Sequence, residues 1–358
     1  MESYVKRNIS GINLEIDISE GNKLFIEEKY VNEIGNFDIE TMKKFFFKKN
    51  KRYIPLLINW ELTSVCNFMC PFCYINQRDI SKESYTFDEA KNIIDILINK
   101  GLLFVNLTGG EVFLNRDFIK IYKYMKEKGL VVSIFSNLSL LTDEILDVLI
   151  KYKPYVVEVS LYGYSNQSFS NAIGLKGKMR DIVYENLVKL KKNGINVRCK
   201  TPVTTLTQPE IEDIYDYCNR IDVDYYVSSD ILDGYNGKSN KKYAIESEDN
   251  SSNDLKHVSG TCSKKKLAFD CSAGESSLYI SFDKHAYPCM SAYGIKKLSV
   301  PIFDSDNVII PSFCDEIERI IMNYKNKPLC LGCEEHENCS YCIVEHIKKE
   351  KVKCKKTV

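Results

Sequence analysis

The sequence predicts an α/β chain. Six βα units build a parallel sheet that curves into a partial (β/α)6 barrel, with a loop-rich, cysteine-bearing C-terminal domain and a short N-terminal extension. Three observations carry this. Short apolar runs alternate with amphipathic stretches of helical period across residues 56–232. The 14 cysteines fall into clusters. A polar stretch at 233–260, rich in Asn and Ser, separates the alternating region from the residues that follow.

The strand-like runs are Leu57–Leu62, Leu103–Thr108, Val131–Ser136, Val156–Leu161, Val197–Thr201 and Tyr225–Ser228. They are rich in Val, Ile, Leu, Tyr and Phe, and short enough to be buried strands. Between them Phe87–Asn99 sets Ala90, Ile93, Ile94 and Leu97 on one helical face, and Asp181–Lys192 does the same with Val183, Leu187, Val188 and Leu190. Thr142 and Asp181 mark helix starts, and Gly129 and Gly194 mark stops. Four segments follow: an extension over 1–55, the barrel over 56–232, a linker or mobile loop over 233–260, and the cysteine-rich piece over 261–358. In the extension, NLEIDIS and KLFIEEKYV suit a hairpin around Glu20–Asn22, followed by a basic helix near Met42–Lys49.

Lys+Arg and Asp+Glu are both 49, so the formal charge is zero, which argues against duplex nucleic acid as the main partner. No run approaches the ~18 apolar residues of a membrane span, and the start MESYVKRNISGINLEIDIS has no signal-type apolar core. A cytoplasmic location is expected. In such a compartment this many cysteines point to metal ligation or catalysis.

Cys66, Cys70 and Cys73 lie in WELTSVCNFMCPFCY, just after the first barrel strand. Three thiolates on one loop can hold three irons of a cubane and leave the fourth open. Zinc loops more often pair CxxC halves to reach four ligands. One unit further on, Thr108-Gly109-Gly110-Glu111 ends the second strand, where glycines allow a close backbone approach. Ser136-Asn137 and Ser160 sit at the ends of the third and fourth strands, as ligand contacts or as ordinary hydrogen-bonded strand ends.

The motif CxxxCxΦC, with aromatic Phe72 before the last cysteine, resembles the signature of the radical S-adenosylmethionine (radical SAM) superfamily. The resemblance implies a [4Fe–4S] cluster on Cys66, Cys70 and Cys73, with the amino and carboxylate groups of S-adenosylmethionine on the open iron. It also implies reductive cleavage to a 5′-deoxyadenosyl radical that takes a hydrogen atom from substrate. Phe72, Tyr74, Gly109, Gly110, Glu111, Ser136, Asn137 and Ser160 are the implied S-adenosylmethionine contacts.

The stretch from Cys271 to Cys289, followed by CLGCEEHENCSYC, resembles the SPASM extension of that superfamily, which carries auxiliary [4Fe–4S] clusters. The family's partition implies one cluster on Cys262, Cys271, Cys289 and Cys342 and another on Cys330, Cys333, Cys339 and Cys354, making three clusters with the first. There are two departures: Lys284 stands where the pattern has glycine, which is expected to alter a turn, and Cys339 and Cys342 are one residue closer than the pattern. A zinc-ribbon pair suits the CxxC-x5-CxxC spacing alone.

SPASM enzymes mostly modify peptides. Sulfatase maturases carry an aspartate after the PC motif; here Pro288-Cys289 is followed by Met290, which cannot accept a proton. The resemblance therefore favours a maturase of a ribosomally made precursor peptide, forming a thioether or carbon–carbon cross-link. Its partners would be the precursor (leader plus core) and a reductant such as flavodoxin or ferredoxin, with neither nucleic acid nor membrane. Residues 1–50 would bind the leader by β-augmentation, or simply cover the barrel. The competing readings are a peptide epimerase returning hydrogen from Cys199, Cys218 or, foremost, Cys314; a sulfatase-type maturase; and a non-catalytic zinc-binding module.

Overall fold

The computed structural model describes residues 4–21, 24–27, 30, 39–50, 53–75, 82–228, 231–235, 237–245, 276–325 and 344. Its centre is a run of six parallel strands in chain order: β4 (Leu57–Glu61), β5 (Phe104–Thr108), β6 (Val131–Ser136), β7 (Val156–Ser160), β8 (Val197–Pro202) and β9 (Asp224–Ser228). The apolar runs predict every one of them to within a residue at each end. Their interior residues, among them Ile58, Trp60, Val105, Leu107, Val132, Ile134, Val157 and Val159, are buried as a sheet covered on both faces requires.

Helices α2 (Phe87–Asn99), α3 (Phe118–Glu127), α4 (Asp143–Lys151), α5 (Asn166–Ile173), α6 (Met179–Lys192) and α7 (Ile211–Arg220) connect these strands. Helix α2 begins with a capping box: the Glu89 amide donates to the Thr86 hydroxyl, and the Glu89 carboxylate accepts from the Thr86 amide. Thr142 caps α4 by accepting from the Ile145 amide. Gly129 and Gly194 follow α3 and α6 with φ of +71° and +68°, the left-handed turn that ends a helix. Helix α6 starts two residues before Asp181, which sits in its first turn. Its N-cap residue, Lys178, makes no side-chain cap, so the sequence lacks the usual mark of the true start.

The C-terminal part joins the same sheet. Strand β10 (Ser277–Ile280) lies parallel to β4, with Leu278 beside Ile58; β11 (His285–Tyr287) and β12 (Val300–Pro301) follow antiparallel. All four residues of β10 are buried. Helix α8 (Phe313–Lys325) packs Phe313 and Ile317 into the core that also holds Leu278 and Ile280. Among the described residues, the C-terminal segment is thus a continuation of the barrel sheet past β4. Of the stretch read as a linker, residues 233–235 and 237–245 are described and are pinned to the cysteine loop. The Tyr235 amide donates to the Tyr74 carbonyl at 2.7 Å, and Asn240 Nδ2 donates to the Phe72 carbonyl at 3.0 Å. Residues 246–260 lie outside the described residues.

The N-terminal extension is a three-stranded antiparallel sheet, β1 (Tyr4–Ile9), β2 (Ile12–Asp17) and β3 (Leu24–Ile26), with helix α1 (Ile39–Asn50). The predicted hairpin is the β2–β3 pair, with Leu14 opposite Ile26. Strand β1, joined through Ser10-Gly11, was not signalled: YVKRNI exposes or half-exposes every residue except Ile9. Ile12, Leu14, Ile16, Phe45 and Phe46 bury against Leu57, Leu103, Phe104 and Val131. The extension therefore covers the N-terminal ends of β4–β6, opposite the edge where the cysteine loop begins. Among the described residues no helix is long and apolar enough to cross a membrane.

Candidate active site

The loop that bears Cys66, Cys70 and Cys73 leaves β4 at its C-terminal end and is held to the next strand by backbone. The Leu62 amide donates to the Thr108 carbonyl, the Gly110 amide to Thr63 at 2.7 Å, and the Glu111 amide to Val65 at 2.8 Å. This is what the paired glycines allow. A Cβ on Gly109, whose φ is +149°, would stand 2.4 Å from the Thr63 carbonyl oxygen, and one on Gly110 would stand 2.3 Å from that of Val65. The close approach expected of these glycines is made to the cysteine loop itself.

Glu111 is fully buried. Its carboxylate accepts from the Ser136 hydroxyl at 2.6 Å, the Asn137 amide at 2.7 Å and the Phe113 amide at 3.2 Å. Burial pushes this carboxyl up to about 7, against the pull of those three donors. Asn137 then reaches the cysteine loop. Its Nδ2 donates to Asn67 Oδ1 at 3.0 Å and lies 3.8 Å from Cys66 Sγ, and Asn67 Nδ2 donates to the Ser139 hydroxyl at 2.8 Å. The structure thus brings Glu111, Ser136 and Asn137 together beside Cys66.

Phe72 is buried against Tyr162 and Tyr243. Tyr74 has its ring 5.2 Å from that of Tyr235. Ser160, half-buried at the end of β7, is hydrogen-bonded to Tyr162, which also contacts the Cys70 thiol. Tyr162 and Gly174 are site residues that sequence reasoning missed. Gly174, the left-handed cap of α5, has no room for a Cβ, which would lie 2.5 Å from the Met69 carbonyl oxygen. The position of Tyr162, just past a strand's C-terminal end, was the available signal.

The donor set fits an iron–sulfur cluster. The Cys66, Cys70 and Cys73 thiols lie half-buried near one another, and each can bond a different iron of a cubane. The Cys66 sulfur accepts from the Phe68 amide at 3.3 Å, the kind of bond that tunes cluster potential. Without metal, burial pushes the Cys66 thiol up to about 12, with Glu111 adding in the same direction, so binding metal must displace a proton.

Residues 60–221 match the profile described as the Radical SAM superfamily. Residues 60–221 are thus a radical SAM domain. It is 26% identical over 253 residues to the antilisterial bacteriocin subtilosin biosynthesis protein AlbA of Bacillus subtilis (strain 168), covering 67% of this chain and 56% of that protein. It is 34% identical over 124 residues to an AdoMet-dependent heme synthase of Methanosarcina barkeri (strain Fusaro / DSM 804), covering 34% of this chain and 36% of that one. The chain thus spans about half, or less, of the length of these curated relatives. Its fold is similar to that of Streptococcus suis SuiB, solved bound to S-adenosylmethionine, with a TM-score of 0.65 and 16% identity over 97% of this chain and 96% of that one. SuiB has also been solved bound to its precursor peptide SuiA. The parallel sheet is of radical SAM type, and the superfamily implies S-adenosylmethionine and a [4Fe–4S] cluster.

Of the second set of cysteines, only Cys289 is described; it is half-buried and stands just before the short 3-10 helix Met290–Ala292, its carbonyl accepting from the Ala292 amide. Cys262, Cys271, Cys330, Cys333, Cys339, Cys342 and Cys354 lie outside the described residues. Lys284 keeps the turn that a glycine would make: its φ is +64°, its carbonyl accepts from the Ile302 amide, and its ammonium pairs with Glu89. Lys284 therefore stands in the left-handed conformation that glycine favours. Cys199 on β8 is hydrogen-bonded to Cys218 on α7, both fully buried between sheet and helices. Cys314 lies on α8 in a cavity with Tyr53, Ile54 and Gly101, at the N-terminal ends of β4 and β5, the edge opposite the cysteine loop.

Proposed function

We propose that this radical SAM enzyme is a peptide maturase, which takes a hydrogen atom from a ribosomally made precursor peptide and closes a thioether or carbon–carbon cross-link. The observation that carries the reading is a three-thiol loop fastened through Gly109, Gly110 and Glu111 to the C-terminal edge of a parallel sheet, where barrel enzymes gather their chemistry. A [4Fe–4S] cluster with S-adenosylmethionine, held by Cys66, Cys70 and Cys73, supplies a carbon radical able to break strong C–H bonds. The chain's own residues fix the rest. Asn137 and the Phe68 amide hold the Cys66 sulfur, Tyr162 meets Cys70, and the buried Glu111 locks the ends of β5 and β6 so that the loop cannot drift. Gly109, Gly110, Ser136, Asn137, Ser160, Phe72 and Tyr74 line this edge as the S-adenosylmethionine contacts.

A peptide substrate is supported by the likeness to AlbA and by the SuiB fold, which extends over the N-terminal sheet as well as the barrel. Strands β1 and β3 are the edges of that sheet among the described residues, and the leader would add to one of them. We assign 56–232 to the barrel and 261–358 to an auxiliary-cluster domain, with two further [4Fe–4S] clusters on the partition given above. Flavodoxin or ferredoxin would supply electrons. Met290 after Cys289 speaks against a sulfatase-type mechanism. Epimerisation needs a hydrogen-donating thiol, and Cys199, Cys218 and Cys314 lie in the barrel wall or at its far edge.

The test is anaerobic reconstitution with S-adenosylmethionine and strong reductant, together with co-expression of the neighbouring precursor. Formation of 5′-deoxyadenosine and a precursor lighter by a pair of hydrogens are expected. A precursor of unchanged mass that has taken up solvent deuterium would replace cross-linking by epimerisation.

A further inference from the structure

We propose that Tyr235 is a positioning residue that clamps the cysteine loop to the C-terminal segment. The proposal rests on the reading of Cys66, Cys70 and Cys73 as cluster ligands. Tyr235 meets three separate pieces of the chain. Its amide donates to the carbonyl of Tyr74, the residue after the third cysteine, at 2.7 Å. Its hydroxyl donates to Glu61 Oε1 at 3.1 Å, the last residue of β4, and lies 2.6 Å from the hydroxyl of Tyr279 on β10. Its ring stacks on Tyr293 with centroids 3.6 Å apart, four residues beyond Cys289. Asn240 supplies a second pin on the same strap, to the Phe72 carbonyl.

This is more than filled space. Glu61 is fully buried, and the Tyr235 hydroxyl is one of the donors, with the Tyr279 hydroxyl and the Phe282 amide, that offset the cost of burying this carboxyl. The phenol therefore fixes the height of the strap above β4, and the strap's amide fixes the backbone after Cys73. Through Tyr279 and Tyr293 the same ring senses how the segment bearing Cys289 is seated. The placement of the third cysteine is thereby tied to the C-terminal segment across the sheet's β4–β10 seam.

The test uses the full-length reconstituted enzyme. Tyr235→Phe keeps the ring and its stack and removes the hydroxyl. With iron content at the wild-type level, amide hydrogen exchange over residues 72–75 and 233–240 should rise together, roughly tenfold for one lost hydrogen bond. Exchange within β5 should stay fixed, and the EPR signal of the reduced cluster should change in its response to added S-adenosylmethionine. Unchanged exchange over 72–75 in an iron-replete Tyr235→Phe protein overturns the clamp. Should that variant not accumulate folded, Asn240→Ala is read by the same criteria. Wild-type protein that takes up no iron would sink the cluster reading instead, and the exchange data would still judge the clamp.

Discussion

The carboxylate of Glu111 accepts the Ser136 hydroxyl at 2.6 Å and so fastens the end of β5 to the end of β6 beside the first cysteine. Removing it should be costly. Glu111→Ala strands the Ser136 hydroxyl and the Phe113 and Asn137 amides in a buried site, and each lost acceptor costs about 1–3 kcal/mol. Urea unfolding of the reconstituted enzyme should show a loss of about 3 kcal/mol or more. A variant as stable as wild type would mean that water replaces the carboxylate and that Glu111 is not structural.

A second carboxyl, Glu61, gives a pH signature. Burial pushes it from 4.5 up to about 7, and the bonds from Tyr279 and Tyr235 only partly offset that. The folded state therefore holds a proton that the unfolded chain releases. This contribution to stability is full below about pH 4.5 and is lost as pH rises towards 7, at up to about 1.4 kcal/mol per pH unit. Glu61→Gln cannot ionise. Its unfolding free energy, measured from pH 5 to 8, should vary less with pH than that of wild type; parallel curves would show that Glu61 stays ionised in the fold.

The glycine pair sets the loop's height over β5, and the structure dictates what larger residues would do. Gly110→Ala places a Cβ 2.3 Å from the Val65 carbonyl oxygen, a backbone atom that cannot rotate away. Gly109→Ala adds the strain of a φ of +149°. Either change should push the cysteine loop off its seat, with a cost above about 2 kcal/mol and lowered iron uptake. Iron per chain after reconstitution and reductive cleavage of S-adenosylmethionine measure this. Full loading of Gly110→Ala would mean that the loop has slack.

How much of this was legible in the sequence depends on distance along the chain. Strands β4–β9 announce themselves because burial on both faces demands unbroken Val, Ile and Leu. The cysteine loop and the Gly-Gly-Glu turn are legible because each is a compact motif one βα unit from the other. The Glu61–Tyr235–Tyr279 network is not: its members are 174 and 44 residues apart, and a tyrosine in a polar stretch carries no local sign of its partner. Strands β10–β12 are 4, 3 and 2 residues long and exist because β4 offers an open edge. Periodicity cannot register segments so short.

Any one of the three loop cysteines should be indispensable. Cys66→Ala removes one leg of the cluster and leaves the Phe68 amide and Asn137 without the sulfur they reach. Iron should fall by about one cubane's worth and 5′-deoxyadenosine should disappear. The control is Cys218→Ala, deep in the barrel wall beside Cys199, which should keep its iron and lose about 1 kcal/mol of stability through a small cavity. Equal iron in the two variants would refute the assignment of this loop.

The last prediction concerns Lys284, a lysine in a glycine's conformation. Its φ of +64° costs about 1 kcal/mol for a residue with a Cβ. What compensates is the ion pair with Glu89, whose carboxylate is largely shielded and is also held by the α2 capping box. Burial raises the Glu89 pKa, yet the Lys284 ammonium and the Thr86 amide outweigh it and hold this carboxyl below its usual range. The pair's contribution is present above the unfolded value and fades as pH falls through the folded one. Lys284→Gly relieves the strain and loses the pair, while the freer unfolded chain costs about 0.5–1 kcal/mol, so the balance should lie within about 1 kcal/mol of wild type. Lys284→Ala loses the pair and keeps the strain, and should be the less stable of the two. If alanine matches or exceeds glycine in thermal midpoint, the left-handed turn is not what this position requires.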